Sequence, residues 1–386
     1  MPDNLSPREL VSLIQSAFQP GPSDRRLAVM IDLPDAMVPD NEDWAQRRDI
    51  AAGWVRGLAA LVAELGLEGA DLVLYRNAHT NNGDLPDHGW YHPADAPLPA
   101  TAEDVQAEPV PLDEILASHS IVLLPTEFSA TAPMKVAAPR LGFRAATMPG
   151  FNPGMLPALR LDYGVIGRRV EQLQALLNEA TSCDIEFLVD GERRFELVLD
   201  LRFRQAHASG GRFPHNGIAG NLPSGEAYVV PYEGEIEGEP SRSAGIMPVQ
   251  LADEVVLYEI VENVALRVLS EGPMSQAEAA HLEAEPAYGN LSELGLGVLG
   301  DMGIEPIGEV LLDEKLGVHI AFGRSDHFGG QVGPGDFSSP DQVIHIDRVY
   351  VPRLQPRVVV AKATLALADG GELLLARDGV IVAVED

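Results

Sequence analysis

The sequence predicts two parts: an α/β N-terminal domain with a mainly parallel sheet and a β-rich α+β C-terminal domain. Within the first 165 residues, apolar runs of strand length alternate with helical patterns, as in a parallel sheet covered by helices. Beyond a helical pattern near residue 163, strand patterns separated by glycine-containing turns dominate. With 386 residues, the chain is long enough for each part to bury its own core. We therefore place the domains at residues 1–165 and 166–386.

The N-terminal part shows the alternation of strands and helices. Its predicted strands are Leu27–Leu33, Asp71–Tyr75, Ile121–Leu124 and Arg144–Met148. Its predicted helices are Asp43–Leu65, Leu112–Ser118 and Lys135–Gly142. A polar loop between them contains His79, His88 and His92, which we interpret as surface residues. The phosphate-binding motifs GxGxxG and GxxxxGK(S/T) are missing, so the sequence gives no sign of a nucleotide site.

The C-terminal part begins after a predicted helix, Tyr163–Ala180. A hairpin is predicted over residues 185–203, with a turn at Asp190-Gly191. Further strand patterns run over Val255–Leu269, Val358–Leu367 and Glu372–Glu385, with predicted turns at Asp369-Gly370-Gly371 and Asp378-Gly379. We expect a barrel-like or strongly curved mixed sheet in this part.

Composition excludes several classes of function. The 58 acidic residues outnumber the 27 basic ones and give a net charge of -31, which repels phosphate backbones and anionic lipids. No run of about 18 apolar residues occurs, and the N-terminus lacks the basic flank of a signal peptide. The single cysteine, Cys183, excludes an internal disulfide. We therefore predict a cytoplasmic protein that binds neither nucleic acid nor membrane.

One segment, residues 317–350, concentrates side chains that bind metals. His345 and Asp347 are two residues apart in a β-branched run, so a strand would point both to the same face. His319 lies in a second strand-like run that ends at Gly323. Imidazole and carboxylate together are ligands of zinc, cobalt, manganese and non-haem iron. The alternative is a set of hydrogen-bonded core histidines with an ordinary aspartate at a strand end.

Two glutamates outside this segment are further candidate ligands. Glu226 follows the turn-rich stretch NLPSG, and Glu293 lies among glycines in SELGLG. Either residue could instead be a surface glutamate beside a turn. The acidic stretch Asp313-Glu314-Lys315 precedes His319 and could support a site or form a simple charged turn.

Taken together, NLPSGE, SELGLG, LLDEKLGVHIAFG and HID resemble the aminopeptidase T-type thermophilic metalloprotease family. This leucyl aminopeptidase-like family shares its fold with ring-cleaving dioxygenases of dihydroxypyridines. The resemblance covers mainly residues 220–350 and implies a metal-dependent aminopeptidase acting on a peptide or amide with a free amino group. It implies two divalent ions per chain (zinc, cobalt or manganese). The implied ligands are Glu226, Glu293, His319, His345 and Asp347.

The chain departs from that family at a position of catalytic importance. The family places a catalytic tyrosine seven residues after the histidine of its DEK motif, where this chain has Asp326 followed by His327. We predict that His327 or Asp326 takes over the role of the tyrosine, although His327 could also be a solvated loop residue. The alternative function is a mononuclear Fe(II) ring-cleaving dioxygenase using His319, His345 and Asp347. We also expect a homodimer with a small-molecule or peptide substrate.

Overall fold

The computed structural model describes residues 4–384, a mixed α/β protein with three β-sheets. Its helices are α1 (Pro7–Phe18), α2 (Glu42–Leu58), α3 (Leu112–Ser118), α4 (Thr131–Leu141), α5 (Leu156–Leu159), α6 (Tyr163–Glu179), α7 (Pro273–Ala284) and α8 (Val310–Asp313). Its first ten strands are β1 (Arg26–Leu33), β2 (Gly69–Arg76), β3 (His88–His92), β4 (Val110–Pro111), β5 (Ile121–Thr126), β6 (Arg144–Pro149), β7 (Ala180–Val189), β8 (Arg193–Asp200), β9 (His207–Ser209) and β10 (Ala219–Asn221). The others are β11 (Glu226–Val229), β12 (Ala244–Leu251), β13 (Glu254–Val261), β14 (Val264–Val268), β15 (Leu291–Gly297), β16 (Val318–Gly323), β17 (His345–Val349), β18 (Val358–Leu367), β19 (Glu372–Arg377) and β20 (Val380–Ile381).

The chain forms two compact units. The first comprises residues up to 167 together with 211–224, and the second comprises residues 168–210 and those from 225 onward. The boundary of the first unit therefore lies within α6, and residues 211–224, which we assigned to the second domain, lie in the first unit. That the chain folds as two separate domains divided at residue 165 stays a prediction.

The first unit is built on a seven-stranded sheet with the order β10-β6-β5-β1-β2-β3-β4. The strands from β10 to β2 pair in parallel, whereas β3 and β4 pair antiparallel at one edge. Strand β1 is buried along almost its whole length, as expected for a parallel strand covered on both faces. Helix α1 starts with a capping box between Ser6 and Glu9 and packs its apolar side inward. The mainly parallel sheet agrees with the sequence prediction.

The second unit contains two antiparallel sheets. The larger has the order β14-β13-β12-β8-β7-β18-β19-β20, and the smaller has the order β17-β16-β15-β11-β9. Because hairpins join many of the neighbouring strands, the pairing is antiparallel rather than mixed, which corrects our prediction of a mixed sheet. The predicted hairpin at residues 185–203 is present as β7 and β8.

Three further element predictions are wrong in detail. The predicted strand 255–269 is a hairpin, β13 and β14, because Glu262 and Asn263 adopt positive φ in a two-residue turn. The predicted helix 43–65 ends at Leu58, and a short 3-10 turn that stops at Gly66 follows it. His88 and His92 lie in β3 rather than in a loop. Residue 385 of the predicted last strand lies outside the described residues.

None of the helices in the described part of the chain is long and apolar enough to cross a membrane.

Candidate metal centre

The five predicted ligands lie on one face of the smaller sheet of the second unit. Residues paired directly across antiparallel strands point to the same face, and so do residues two apart on one strand. Glu293 of β15 is aligned with Ala321 of β16, which is aligned with Asp347 of β17. Glu226, at the start of β11, is paired with Gly297. The strand register therefore collects these side chains, together with His319 and His345, above one surface.

Glycines on the same face make room for the cluster. A side chain at Gly295 would place its Cβ 1.9 Å from Nε2 of His319. A side chain at Gly297 would lie 2.2 Å from the carbonyl carbon of Lys315. The motif E-x-G-x-G thus supplies one carboxylate at Glu293 and two positions without a side chain, so that the imidazole and the turn before β16 can approach the sheet.

The cluster consists of two groups of three ligands that share Glu293. One group is Glu226, Glu293 and His319, and the other is Glu293, His345 and Asp347, with the ligand atoms of each group within 4.8 Å of one another. Oε1 of Glu293 lies 3.2 Å from Nε2 of His319, and Oε2 lies 3.4 Å from Nε2 of His345. The two oxygens of one carboxylate therefore face two different histidines, which is the arrangement of a bridging ligand.

Two buried oxygens in the cluster have no hydrogen-bond partner among residues 4–384. They are Oε2 of Glu226, 3.6 Å from Nε2 of His319, and Oδ1 of Asp347, 3.7 Å from Nε2 of His345. A buried carboxylate oxygen without a donor is costly unless a cation or a proton compensates it. The oxygen and nitrogen donors of this face therefore fit divalent cations of the zinc, cobalt or manganese type.

The second nitrogen of each histidine is held by the backbone. Nδ1 of His345 donates to the carbonyl oxygen of Arg324 at 2.9 Å and lies 3.2 Å from Oγ of Ser292. Nδ1 of His319 lies 3.3 Å from the carbonyl oxygen of Gly317. Such contacts fix the orientation of a ligating ring and leave Nε2 free to bind a metal. Both Nε2 atoms face the carboxylates.

Without a cation, the histidines carry the compensating charge. Burial disfavours a charged ring, but the close carboxylates of Asp347 and Glu293 prevail and raise the pKa of His345 to about 11. Burial likewise opposes protonation of His319, yet the hydrogen bond that its ring donates to Glu293 and the nearby carboxylates raise its pKa to about 9. Burial would raise the pKa of Asp347, but the ion pair with His345 and the other nearby positive charges hold its pKa below the usual range.

These shifts predict that metal binding releases protons. At pH 7 both imidazoles of the metal-free protein are protonated, and a cation must displace those protons from Nε2. We expect about two protons released per chain at pH 7, and an affinity that rises by about tenfold per pH unit for each proton displaced. Titration of the metal-free protein with Zn²⁺ in weakly buffered solution measures the release. Binding at pH 7 without any release of protons would contradict this prediction.

A buried lysine completes the charge balance. The side chain of Lys315 is 3% exposed, and its Nζ lies 2.5 Å from Oε1 of Glu226 and also contacts Glu314. Burial opposes its charge, but the two carboxylates keep its pKa above the usual range. Burial raises the pKa of Glu314 to about 8, against the opposing charge of Lys315. Asp313 instead accepts the backbone N–H groups of Ile307 and Gly308. Within 313–315, Lys315 thus contacts the candidate ligand Glu226, and Asp313 accepts hydrogen bonds from the preceding backbone.

Four aromatic side chains lie beside the candidate ligand His345, and we call them the aromatic wall (His207, Tyr228, His327 and Phe328). The ring of Tyr228 stacks on His207 at 5.2 Å and meets Phe328 edge-on at 4.9 Å. Phe328 in turn lies 5.4 Å from the ring of His345. Sequence reasoning missed Tyr228, although its position two residues after Glu226 in a strand was the signal that could have identified it.

His327 and Asp326 lie in a short turn at one end of the aromatic wall. The ring centroid of His327 is 5.5 Å from that of His345. Burial and the positive charges of His345 and Arg324 lower the pKa of His327 to about 4, so this imidazole is neutral near pH 7. Asp326 forms an ion pair with Arg324 at 2.5 Å and lies 3.5 Å from Nδ1 of His327. Asp326 is therefore an ionised neighbour of His327, and it has no proton to donate near neutral pH.

Comparison with known proteins supports the fold. The chain matches no protein-family model and no curated protein sequence. Among solved structures it is similar to 2,5-dihydroxypyridine dioxygenase from Pseudomonas putida, with a TM-score of 0.58, 14% identity and 99% of each chain covered. It is also similar to wild-type AmpT from Thermus thermophilus, an aminopeptidase T, with a TM-score of 0.52 and 17% identity over 97% of this chain and 99% of that chain. The predicted fold relationship is confirmed, and at these identities the likeness favours neither activity.

Proposed function

We propose that the protein is a metal-dependent hydrolase of the aminopeptidase type. The observation that carries this proposal is the bridging geometry of Glu293, whose two carboxylate oxygens face His319 and His345 separately. A bridging carboxylate between two groups of ligands suits a pair of divalent ions better than one. The charge distribution agrees, because among the described residues the ammonium group of Lys315 contacts only Glu226 and Glu314, whereas Glu293 and Asp347 face the two histidines.

Divalent cations in such a site polarise a carbonyl group and acidify water. The protein itself supplies the other parts of the reaction. Glu293 would bridge the cations, Glu226 and His319 would hold one of them, and His345 and Asp347 would hold the other. Gly295 and Gly297 on the same face allow the His319 ring and the backbone of Lys315 to approach the sheet.

Two side chains of the aromatic wall are suited to hydrogen bonding with the substrate. Burial and the charges of Glu226 and Glu293 raise the pKa of Tyr228 above its usual range, so its phenol stays protonated and can donate to a developing oxyanion. His327 is neutral, and with Nδ1 near Asp326 its Nε2 is the atom available to move a proton. We assign His327 the proton transfer and Asp326 the orientation of its ring.

Replacement of His327 by alanine is expected to lower turnover without loss of metal. A general acid–base group contributes about 10²-fold or more to the rate, so kcat should fall by that factor. Metal content measured by mass spectrometry should equal that of the parent protein. An unchanged kcat would show that His327 takes no part in catalysis, and loss of metal would show that it is a ligand.

The decisive test of the function combines metal analysis with two substrates. Two zinc, cobalt or manganese ions per chain, together with hydrolysis of an aminoacyl p-nitroanilide, would support the proposal. The acetylated form of the same substrate should not react, because the carboxylates around the site favour a positively charged free amino group. A chain that binds two such ions but hydrolyses both forms equally would exclude the aminopeptidase assignment.

A second function is favoured by the position of Lys315. Because its ammonium group occupies Oε1 of Glu226, that glutamate could be a partner of Lys315 rather than a ligand. His319, His345 and Asp347 would then remain, with both Nε2 atoms within 4.0 Å of Oδ1 of Asp347. Two histidines and one carboxylate form the ligand set of mononuclear Fe(II) oxygenases. One iron per chain and oxygen uptake with a dihydroxypyridine would select this ring-cleaving activity over hydrolysis.

A further inference from the structure

A buried carboxylate outside the ligand set lies under the turn that carries His327. The side chain of Glu233 is 6% exposed. Its Oε1 accepts hydrogen bonds from Oγ of Ser325 at 2.6 Å and from Nδ2 of Asn290 at 2.7 Å. Its Oε2 accepts from the backbone N–H of Gln331 at 2.5 Å and from Arg204 at 3.3 Å. All four partners are donors, so this position requires an acceptor at both oxygens.

Glu233 holds the turn of residues 325–332 at both ends. The turn is closed by its own backbone bonds, from the N–H of Gly330 to the carbonyl of Ser325 and from the N–H of Ser325 to the carbonyl of Val332. Glu233 then ties Ser325 and Gln331, six residues apart, to one carboxylate. A Cβ at Gly330 would lie 2.9 Å from Oε2 of Glu233, so the glycine permits this close approach.

Between Ser325 and Gln331, the turn places the rings of His327 and Phe328 within 5.5 Å of the ring of the candidate ligand His345. Two further contacts fix the same turn: Arg204 reaches the carbonyl of Gly329 at 3.4 Å, and His207 reaches the carbonyl of Phe328 at 3.0 Å. Arg204 is in turn oriented by Glu233. The carboxylate therefore acts on the turn directly and through the guanidinium group.

We propose that Glu233 is a positioning residue that fixes His327 beside the metal ligands. Its ionised carboxylate satisfies four donors at once, whereas an amide in its place would turn one NH₂ group toward donors. The catalytic part of this inference rests on the proposed function, because it assigns a role to His327. The anchoring of the turn does not depend on any activity.

The test uses Glu233→Gln, with Glu235→Gln as the matched control. Glu235 also pairs with Arg204 but makes no contact with the turn among the contacts of the described residues, and its side chain is 25% exposed. We expect amide hydrogen exchange in residues 325–332 to accelerate about tenfold in Glu233→Gln, which is the scale of losing one hydrogen bond to a charged group. The change in Glu235→Gln should be much smaller, because Glu235 reaches the turn only through Arg204. Ser325→Ala, which removes one of the four donors, should give a smaller acceleration in the same peptides and serves if Glu233→Gln fails to fold.

Activity then separates positioning from general support of the fold. In Glu233→Gln, kcat should fall toward the value of His327→Ala with little change in KM and with metal content unchanged. The double variant should be no slower than His327→Ala, because both changes remove the same contribution. Unchanged exchange in Glu233→Gln and Ser325→Ala would overturn the anchoring, and additive losses of kcat in the double variant would overturn the link to His327. If no substrate is hydrolysed at all, the proposed function fails while the exchange result still decides the anchoring.

Discussion

Replacement of Glu293 by glutamine is expected to abolish hydrolysis and to remove bound metal. Glutamine has nearly the same shape but keeps only one oxygen, so it cannot face His319 and His345 with an acceptor on each side. Loss of the bridge should lower kcat/KM by at least about 10³-fold, because metal ions contribute several kcal/mol to stabilising the transition state. Metal content by mass spectrometry and hydrolysis of an aminoacyl p-nitroanilide measure the two effects.

The control for Glu293→Gln is Asp200→Asn. Asp200 is also a buried carboxylate of the second unit, but it pairs with Arg202 at 2.8 Å instead of facing the ligand histidines. We expect Asp200→Asn to lower the stability of the fold and to leave metal content unchanged. A Glu293→Gln variant that keeps two metal ions and full activity would show that the two groups of ligands do not share this residue. Equal loss of metal in both variants would point to general damage of the fold.

The candidate ligands were predicted from two sources: the two-residue repeat of a β-strand and the resemblance of short motifs to a known family. The spacing of His345 and Asp347 is enough to place them on one face of a strand, and the structure has that strand as β17. Glu226 and Glu293 could be chosen only through the resemblance, because their surroundings in the sequence do not separate a ligand from a surface glutamate. The register that brings Glu293 opposite Ala321, and Ala321 opposite Asp347, is a long-range property that local sequence does not contain.

The residues that sequence reasoning missed are those whose role depends on distant partners. Glu233 lies in the segment YEGEIEGEP, where a glutamate recurs at every second position, and nothing local distinguishes it from Glu235. Only the fold brings Ser325, Gln331 and Asn290 to its carboxylate. In a chain with 58 acidic residues, composition alone therefore does not distinguish a buried carboxylate such as Glu233 from a surface one.

Replacement of Lys315 by methionine is expected to destabilise the metal-free protein strongly. Methionine fills similar volume but removes the charge between Glu226 and Glu314, whose side chains are only 8% and 19% exposed. Breaking a buried ion pair by removing one partner costs about 3–5 kcal/mol, because the remaining carboxylates are left buried without compensation. Added Mn²⁺ should restore a larger part of the stability in this variant than in the parent, since a cation replaces the lost positive charge. Guanidinium unfolding with and without a chelator measures both effects.

Lys362→Met provides the comparison for that experiment. Lys362 is an exposed lysine of β18 in the same unit, and its replacement should change the free energy of unfolding by less than about 0.5 kcal/mol at any metal concentration. If Lys315→Met is as stable as Lys362→Met in the presence of chelator, the ammonium group does not compensate Glu226 and Glu314. If Lys315→Met is destabilised but gains no more from Mn²⁺ than the parent, Glu226 is a partner of Lys315 and not a metal ligand. That outcome would favour the mononuclear set of His319, His345 and Asp347 over the bridged pair of ions.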